Sequence, residues 1–335
     1  MPSSRTRADQ AYSRCDRTAA FFRGQRRETT HDDCVGGDPV SSRVALVGAG
    51  RMGTPLCGRL VSARHTVTVS DLRPEREEAV RMLGADWAPS VTMAAAGADV
   101  LITVVPGPDE AAAALPDAVF AALAPGAVWI DMTSNSPAAA RALRERAGAH
   151  GVDVLEAPIG GGPDDAEHGR LRLFVGGSPE VLDRCRPLLE AMTTAERIRH
   201  MGGPGTGYTT KLLINLLWFG QAAATAEALL LGRRAGIDLT VLRDTLADSA
   251  AGSDFIRRDL PALFAGDYLP SYGLDRIHDQ LQAITGEAQA LGTPHTMADT
   301  VLRIHRLALE RFGPVDGELL AVALLEEIAG TLLRP

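Results

Sequence analysis

Short apolar runs alternate with helix-period stretches through the first half of the chain, and helix-period stretches alone fill the second. Val44–Val47 is an unbroken apolar run that stops at Gly48. Val67–Asp71 alternates apolar and polar positions and ends in an acid. Asp99–Val105, Ala127–Asp131, Val152–Leu155 and Leu171–Val175 repeat the theme, each closing on a loop rich in glycine, proline or small polar residues. Strands spaced by helical segments predict a parallel sheet with crossover helices. After Gly207 no strand pattern is visible. Thr206 to Ala235 reads as one helix of about 30 residues, roughly 45 Å long, stopped by Gly236. A helix of that length links two domains or anchors a dimer. The segments Leu239–Leu246, Phe255–Phe264, Leu274–Leu291, Ala298–Phe312 and Glu318–Leu333 continue at helical period and predict a bundle.

The predicted fold is α/β: an N-terminal Rossmann doubly wound domain over 43–205 and an all-α C-terminal domain over 206–335, joined by the long interdomain helix. Residues 1–42 mix arginine, acids, serine and glycine without periodicity. They are expected to form a disordered tail, and a start codon placed too early is a second reading.

Composition narrows the classes. At 335 residues the chain has room for two domains. Hydrophobic residues make up 45% and charged residues 23%, as in ordinary soluble domains. The net charge of -8 argues against nucleic acid. The longest apolar run, Leu212–Ala226, is broken by Asn215 and Gln221, too short and polar for a membrane span. Cys15, Cys34, Cys57 and Cys185 are scattered without a C-x-x-C pair. They suggest neither a metal site nor a disulfide framework, and a reducing, cytoplasmic compartment is expected.

The chemistry begins at Gly48-Ala49-Gly50-Arg51-Met52-Gly53, a G-x-G-x-x-G between a strand and a helix. Gly48 permits the tight turn, Gly50 lets backbone approach a pyrophosphate, and Gly53 lets helix pack on sheet. The phosphates then rest on a helix N-terminus. Asp71 lies 18 residues after Gly53, near the spacing at which a carboxylate meets the adenosine ribose diol. A carboxylate there repels a 2′-phosphate, so NAD is expected, with NADP left open because Arg73 follows two residues later.

Of the 34 lysine and arginine residues, Lys211 is the only lysine. Arginine bias can erase lysines wherever only charge matters. Guanidinium cannot replace an amine where a proton must come and go. Asn215 is i+4 from Lys211, and Trp218 lies two turns beyond it on the same side. An amine and an amide in an apolar helix suggest a proton donor and a substrate ligand at the strand-end loops.

These residues together resemble the β-hydroxyacid dehydrogenase family, which includes 3-hydroxyisobutyrate dehydrogenase, tartronate semialdehyde reductase and glyoxylate/succinic semialdehyde reductase, with a 6-phosphogluconate dehydrogenase-like C-terminal domain. The likeness covers about Arg43 to Leu291. Gly48 to Pro55 is similar to G-x-G-x-M-G-x-P, and Asp131 to Pro137 to D-x-S-T-x-x-P. Ala157 to Gly162 tracks A-P-V-S-G-G, and Gly205 to Asn215 matches G-x-G-x-x-x-K-x-x-x-N. The resemblance implies Lys211 as general acid/base and Asn215 as substrate-positioning. It places Val105, Pro106 and Ser134 at the nicotinamide end of the cofactor, with Thr133, Gly160, Gly161 and Gly162 near the substrate. Gly161 and Gly162 would offer backbone N–H groups, and Trp218 would fill or stack within the pocket. Homodimers or homotetramers are common in the family.

Two departures stand out. The family's carboxylate-binding serine is Gly160, and its second lysine near the cofactor falls at Asp279. Asp164 and Asp165 add acid to the glycine loop. A small-molecule substrate other than a standard small 3-hydroxy acid is therefore expected. Imine reduction and a non-catalytic dinucleotide-binding scaffold are the competing readings, and Lys211 speaks against both.

Overall fold

The computed structural model describes residues 41–335, so the tail expected at 1–42 lies outside the described residues but for Ser41 and Ser42. Nine strands form one sheet: β1 Arg43–Val47, β2 Thr66–Ser70, β3 Asp86–Trp87, β4 Val100–Thr103, β5 Val128–Asp131, β6 Asp153–Glu156, β7 Ile159–Gly160, β8 Arg172–Gly176 and β9 Ile198–Gly202. Their order is 3-2-1-4-5-6-8-7, with β9 also paired to β8. Strands β3 through β6 along this path are parallel. β8 runs antiparallel to β6 and β7. The parallel part has the doubly wound order, whose switch point lies between β1 and β4.

Period-two alternation puts the strands' two faces into separate cores. Val44, Leu46, Ile102 and Ile130 face the helices Gly53–Ser62 and Pro179–Met192. Ala45, Val47, Leu101 and Trp129 face the other layer, where Phe120 and Leu143 pack. Burial on both faces is why these strands read as continuous apolar runs.

The helix Thr206–Arg234 has 29 residues, close to expectation, and is the spine of the helical half. Ala222, Ala226, Leu229 and Leu230 enter one helical core, Leu212 and Phe219 a second, and Ala223 a third. It is more continuously apolar than its sequence interruptions suggest: by length and composition it could cross a membrane, with mean hydropathy 1.3 over its most apolar window. The reason lies in the fold, where different stretches of one helix line three cores in turn. The segment Phe255–Phe264 divides into a π-helical turn, Phe255–Asp259, and the helix Leu260–Phe264. Pro261 has no N–H to give to the carbonyl of Arg257, so the α-pattern slips there. The last helix is Leu320–Ala329, shorter than expected at both ends; at its C-terminus Gly330 turns left-handed at φ 60° and stops it.

Candidate active site

The glycine turn is built by contact. Gly48 has φ +101°, and a Cβ on it would lie 2.3 Å from the Val104 carbonyl oxygen. A Cβ on Gly53 would lie 1.9 Å from the Gly48 carbonyl oxygen. Gly50 instead faces open space, with only the Arg73 guanidinium 3.7 Å from its Cβ position. The two outer glycines thus fold the turn, and the middle one leaves room for a ligand. No side chain caps the helix Gly53–Ser62. Thr54 and Leu56 give their N–H groups to the carbonyls of Gly50 and Met52 and Pro55 has none, so an anion there would meet the N–H groups of the turn itself, at Arg51, Met52 and Gly53.

Asp71 closes the far side of this turn. Its Oδ2 accepts from the Ala49 N–H at 2.7 Å, and its Oδ1 from the Arg73 N–H at 2.9 Å. Burial pushes this carboxyl up, but those backbone donors and the Arg73 guanidinium outweigh it and hold it below the ordinary value. It is an ionised acceptor with lone pairs remaining for a ribose diol. The donor set and the open glycine fit a dinucleotide.

Beyond β4 and β5 a cleft opens between the sheet and the helices. Pro106, Gly107, Ser134 and Asn135 line the sheet side, and Tyr272, Arg276, Asp279 and Gln280 line the helix side. Asn215 Nδ2 donates to Gln280 Oε1 at 2.6 Å, and Gln280 Nε2 donates to the Tyr272 hydroxyl at 2.6 Å. Burial pushes the Tyr272 phenol up to about 12, so it stays protonated. Arg276 spans the cleft to pair with Glu110. Lys211 is half-buried one turn before Asn215. Burial lowers its amine below the ordinary value, and the Glu318 carboxylate pulls it partly back.

A buried polar network fixes the start of the long helix beneath this cleft. The Asp131 carboxylate accepts from the Thr103 hydroxyl at 2.7 Å, the Tyr208 hydroxyl at 2.7 Å and the Thr133 N–H at 3.0 Å. Glu156, also buried, accepts from the Gly205 N–H at 2.5 Å at the helix N-terminus. Its other oxygen, Oε2, has no partner. Gly207 packs so closely on β8 that a Cβ would lie 2.6 Å from the Phe174 carbonyl oxygen. One glycine and two buried acids thus hold the first turn of the helix. Tyr208, Glu156, Tyr272, Gln280 and Glu318 were not singled out from sequence. Only Tyr208 carried a usable signal, as a phenol inside the glycine–lysine motif.

The structure does not bring every expected residue to the cleft. Thr133 is 1% exposed, and its hydroxyl accepts from the Val105 N–H at 3.4 Å, so it braces the loop behind Ser134. The Gly162 N–H is not free: it donates to Asp165 Oδ2 at 3.2 Å, because Gly162 precedes the short helix Pro163–Glu167 that Asp165 caps from within. Gly161, at φ +119°, faces the same Asp165 side chain. A side chain at Gly160 would begin 3.0 Å from the Phe174 ring, which occupies the space a serine would need. Trp218 donates its indole N–H to Asp259 Oδ2 at 2.8 Å and stands edge-on to Phe219 and Phe255, which makes it a wall of the helical core. Asp279 lies on the cleft.

The NAD binding domain of 6-phosphogluconate dehydrogenase matches residues 43–202, and the NAD-binding domain of NADP-dependent 3-hydroxyisobutyrate dehydrogenase matches residues 205–325. A 3-hydroxyisobutyrate dehydrogenase of Pseudomonas aeruginosa is 35% identical over 212 residues, covering 63% of this chain and 70% of that one. The chain belongs to the β-hydroxyacid dehydrogenase family. A second member of this family from Pseudomonas aeruginosa, an NAD-dependent L-serine dehydrogenase, is 30% identical over 280 residues, covering 80% of this chain and 93% of that one. The fold of this family member is also that of Mycobacterium tuberculosis 3-hydroxyisobutyrate dehydrogenase with L-serine, at a TM-score of 0.77 and 27% identity, covering 85% of this chain and 99% of that one. As a β-hydroxyacid dehydrogenase homologue the protein is an oxidoreductase that uses a nicotinamide dinucleotide, NAD or NADP. The scaffold reading gives way to an enzyme.

Proposed function

We propose that Lys211 is the proton relay of this dehydrogenase and that its substrate is not a small free 3-hydroxy acid. A bound nicotinamide supplies or accepts the hydride. Lys211 gives a proton to a carbonyl oxygen during reduction and takes it from a hydroxyl during oxidation. Burial favours the neutral amine over the ammonium, as a proton relay requires. Asn215, anchored through Gln280 and Tyr272, positions the substrate beside Lys211. Gly48, Gly50, Arg51, Met52, Gly53 and Asp71 hold the adenosine and pyrophosphate, and Val105, Pro106, Ser134 and Asp279 border the nicotinamide end.

The observation that carries the substrate reading is the Gly162 N–H already bound to Asp165. Phe174 against Gly160 and the acid at Asp279 remove two further means of holding a carboxylate. A larger or less anionic alcohol or carbonyl compound suits this pocket. A nicotinamide-absorbance screen with NAD and NADP tests it: hydroxyisobutyrate, tartronate semialdehyde and serine against longer 3-hydroxy acids and uncharged esters or amides. Preference for a small free acid would contradict the reading.

The protein works as a homodimer or homotetramer in the cytoplasm. Support comes from Leu213, Leu217 and Leu231, which are 49%, 64% and 72% exposed along the long helix and suit a second copy of the chain.

A further inference from the structure

We infer that Arg276 and Glu110 are positioning residues that clamp the helical half over the dinucleotide crevice, and that this clamp sets how fast the cofactor leaves. The inference rests on the reading that seats the dinucleotide on the glycine turn. β1 and β4 are parallel neighbours, and a ligand of a doubly wound sheet lies beyond the C-terminal ends of its strands at the switch point. The segment 271–276 of the helical half is tied to the chain beyond both. At its first residue the Ser271 carbonyl accepts from Arg51 Nη1 at 3.3 Å, and Arg51 belongs to the turn after β1. At its last, Arg276 donates two hydrogen bonds to Glu110, from Nη2 to Oε1 at 2.5 Å and from Nη1 to Oε2 at 3.3 Å. Glu110 belongs to the helix Pro108–Ala114, which follows β4. One short segment therefore holds both lips of the crevice.

The Arg276 end is the stronger tie. Two N–H···O bonds between a guanidinium and a carboxylate hold more tightly than one bond to a neutral carbonyl. The two side chains are 31% and 29% exposed, so water and salt screen the pair less than they would a surface pair. The adjacent Asp275 carboxylate is 3.9 Å from Arg276 Nε, too far for a hydrogen bond, and does not compete. Gly107 makes the fit possible: a Cβ there would lie 3.1 Å from Arg276 Nη1 and 3.2 Å from Glu110 Oε2. Arg276 is the one cation among the residues that line the cleft, and its charge is given to Glu110 across the gap. Pro106 and Ser134 line the same cleft, so the clamp closes over the nicotinamide half of the cofactor.

The test is the rate at which NADH and NADPH leave the enzyme, followed by nicotinamide fluorescence in stopped-flow displacement without substrate. Arg276→Gln and Glu110→Gln should each raise the dissociation rate on the order of tenfold and leave the association rate nearly unchanged. The two together should release no faster than either alone, because they break one interaction. Reversing the pair, Glu110→Arg with Arg276→Glu, should bring release back toward the parental rate. Arg276→Lys keeps the charge but loses the fork, so it should give a smaller rise and serves if Arg276→Gln does not fold. Parental release in the folded single variants, or additive rises that reversal does not repair, would overturn the clamp. Gly50→Val tests the seat itself. Gly50 is outside the left-handed region, so valine fits the backbone but fills the space beside the turn. If Gly50→Val loses NADH binding while the clamp variants release at the parental rate, the clamp alone fails. If Gly50→Val binds NADH as the parent does, the dinucleotide lies elsewhere and both readings fall.

Discussion

The Tyr208 hydroxyl donates to Asp131 Oδ2 at 2.7 Å across 77 residues of sequence, and this one bond fastens the long helix to the end of β5. Burial and the Asp131 charge push the phenol well above its ordinary value, so it stays a donor at any working pH. Tyr208→Phe removes the donor and leaves a buried carboxylate short of one partner. A loss of about 2 kcal/mol in unfolding free energy is expected, read from denaturant midpoints. A change within error of zero would show that the helix start is held by packing alone.

Asp165 accepts the Gly162 N–H that the proposed substrate site would otherwise use, and Arg170 pairs with Asp165 at 3.2 Å. Asp165→Ala should free that donor and remove a negative charge from the loop. Turnover of small 3-hydroxy acids should rise several-fold in kcat/KM, on the order of the tenfold that one charged hydrogen bond is worth. Unchanged or lower kcat/KM for every free acid tested would separate Asp165 from specificity.

The architecture was legible because burial leaves a strong mark on sequence. Strands β1, β2, β4, β5, β6 and β8 lie in the middle of the sheet, and their apolar runs showed where they were. β3 and β7 have two residues each and bury too little to leave a pattern. β9 lies against β8 with Arg199, His200 and Met201 exposed, so its polarity reads as loop. Within the site, Gly48, Gly53, Asp71 and Lys211 were readable because each is a residue type with few substitutes. The state of the Gly162 N–H was not, since it depends on where the side chain of Asp165 turns. Glu318 was invisible for a different reason: it is held by Ser271, 47 residues away in sequence.

Glu156 predicts a pH dependence of stability. Burial pushes its carboxyl above the ordinary 4.5, against the pull of the Gly205 N–H and Arg144. The folded state then holds this proton more tightly than the unfolded chain. The associated stability is fully present below about 4.5 and is lost as pH rises through the raised folded value. Glu156→Gln removes that loss. Its stability relative to the parent should improve steadily as pH rises from acid toward neutral. A difference that is flat or opposite in sign across a pH series of unfolding curves would contradict it.

The proposed site gives cofactor choice to Asp71 and Arg73. Asp71→Asn should weaken NAD use by about tenfold in kcat/KM and raise the NADP-to-NAD ratio, because an acceptor is lost and a repulsive charge removed. Arg73→Ala should lower that ratio, since its guanidinium stands over Gly50. Parallel titrations with both dinucleotides read the two effects. A ratio that ignores both substitutions would place recognition elsewhere.

The central claim is that the sole lysine moves the proton, and its most direct measurement is single-turnover hydride transfer in Lys211→Ala and Lys211→Arg with cofactor affinity followed separately. Both variants should bind NAD or NADP as the parent does and lose on the order of 10²-fold or more in the chemical step, with arginine giving no rescue because it cannot release its proton. Hydride transfer at the parental rate in either variant would contradict the account.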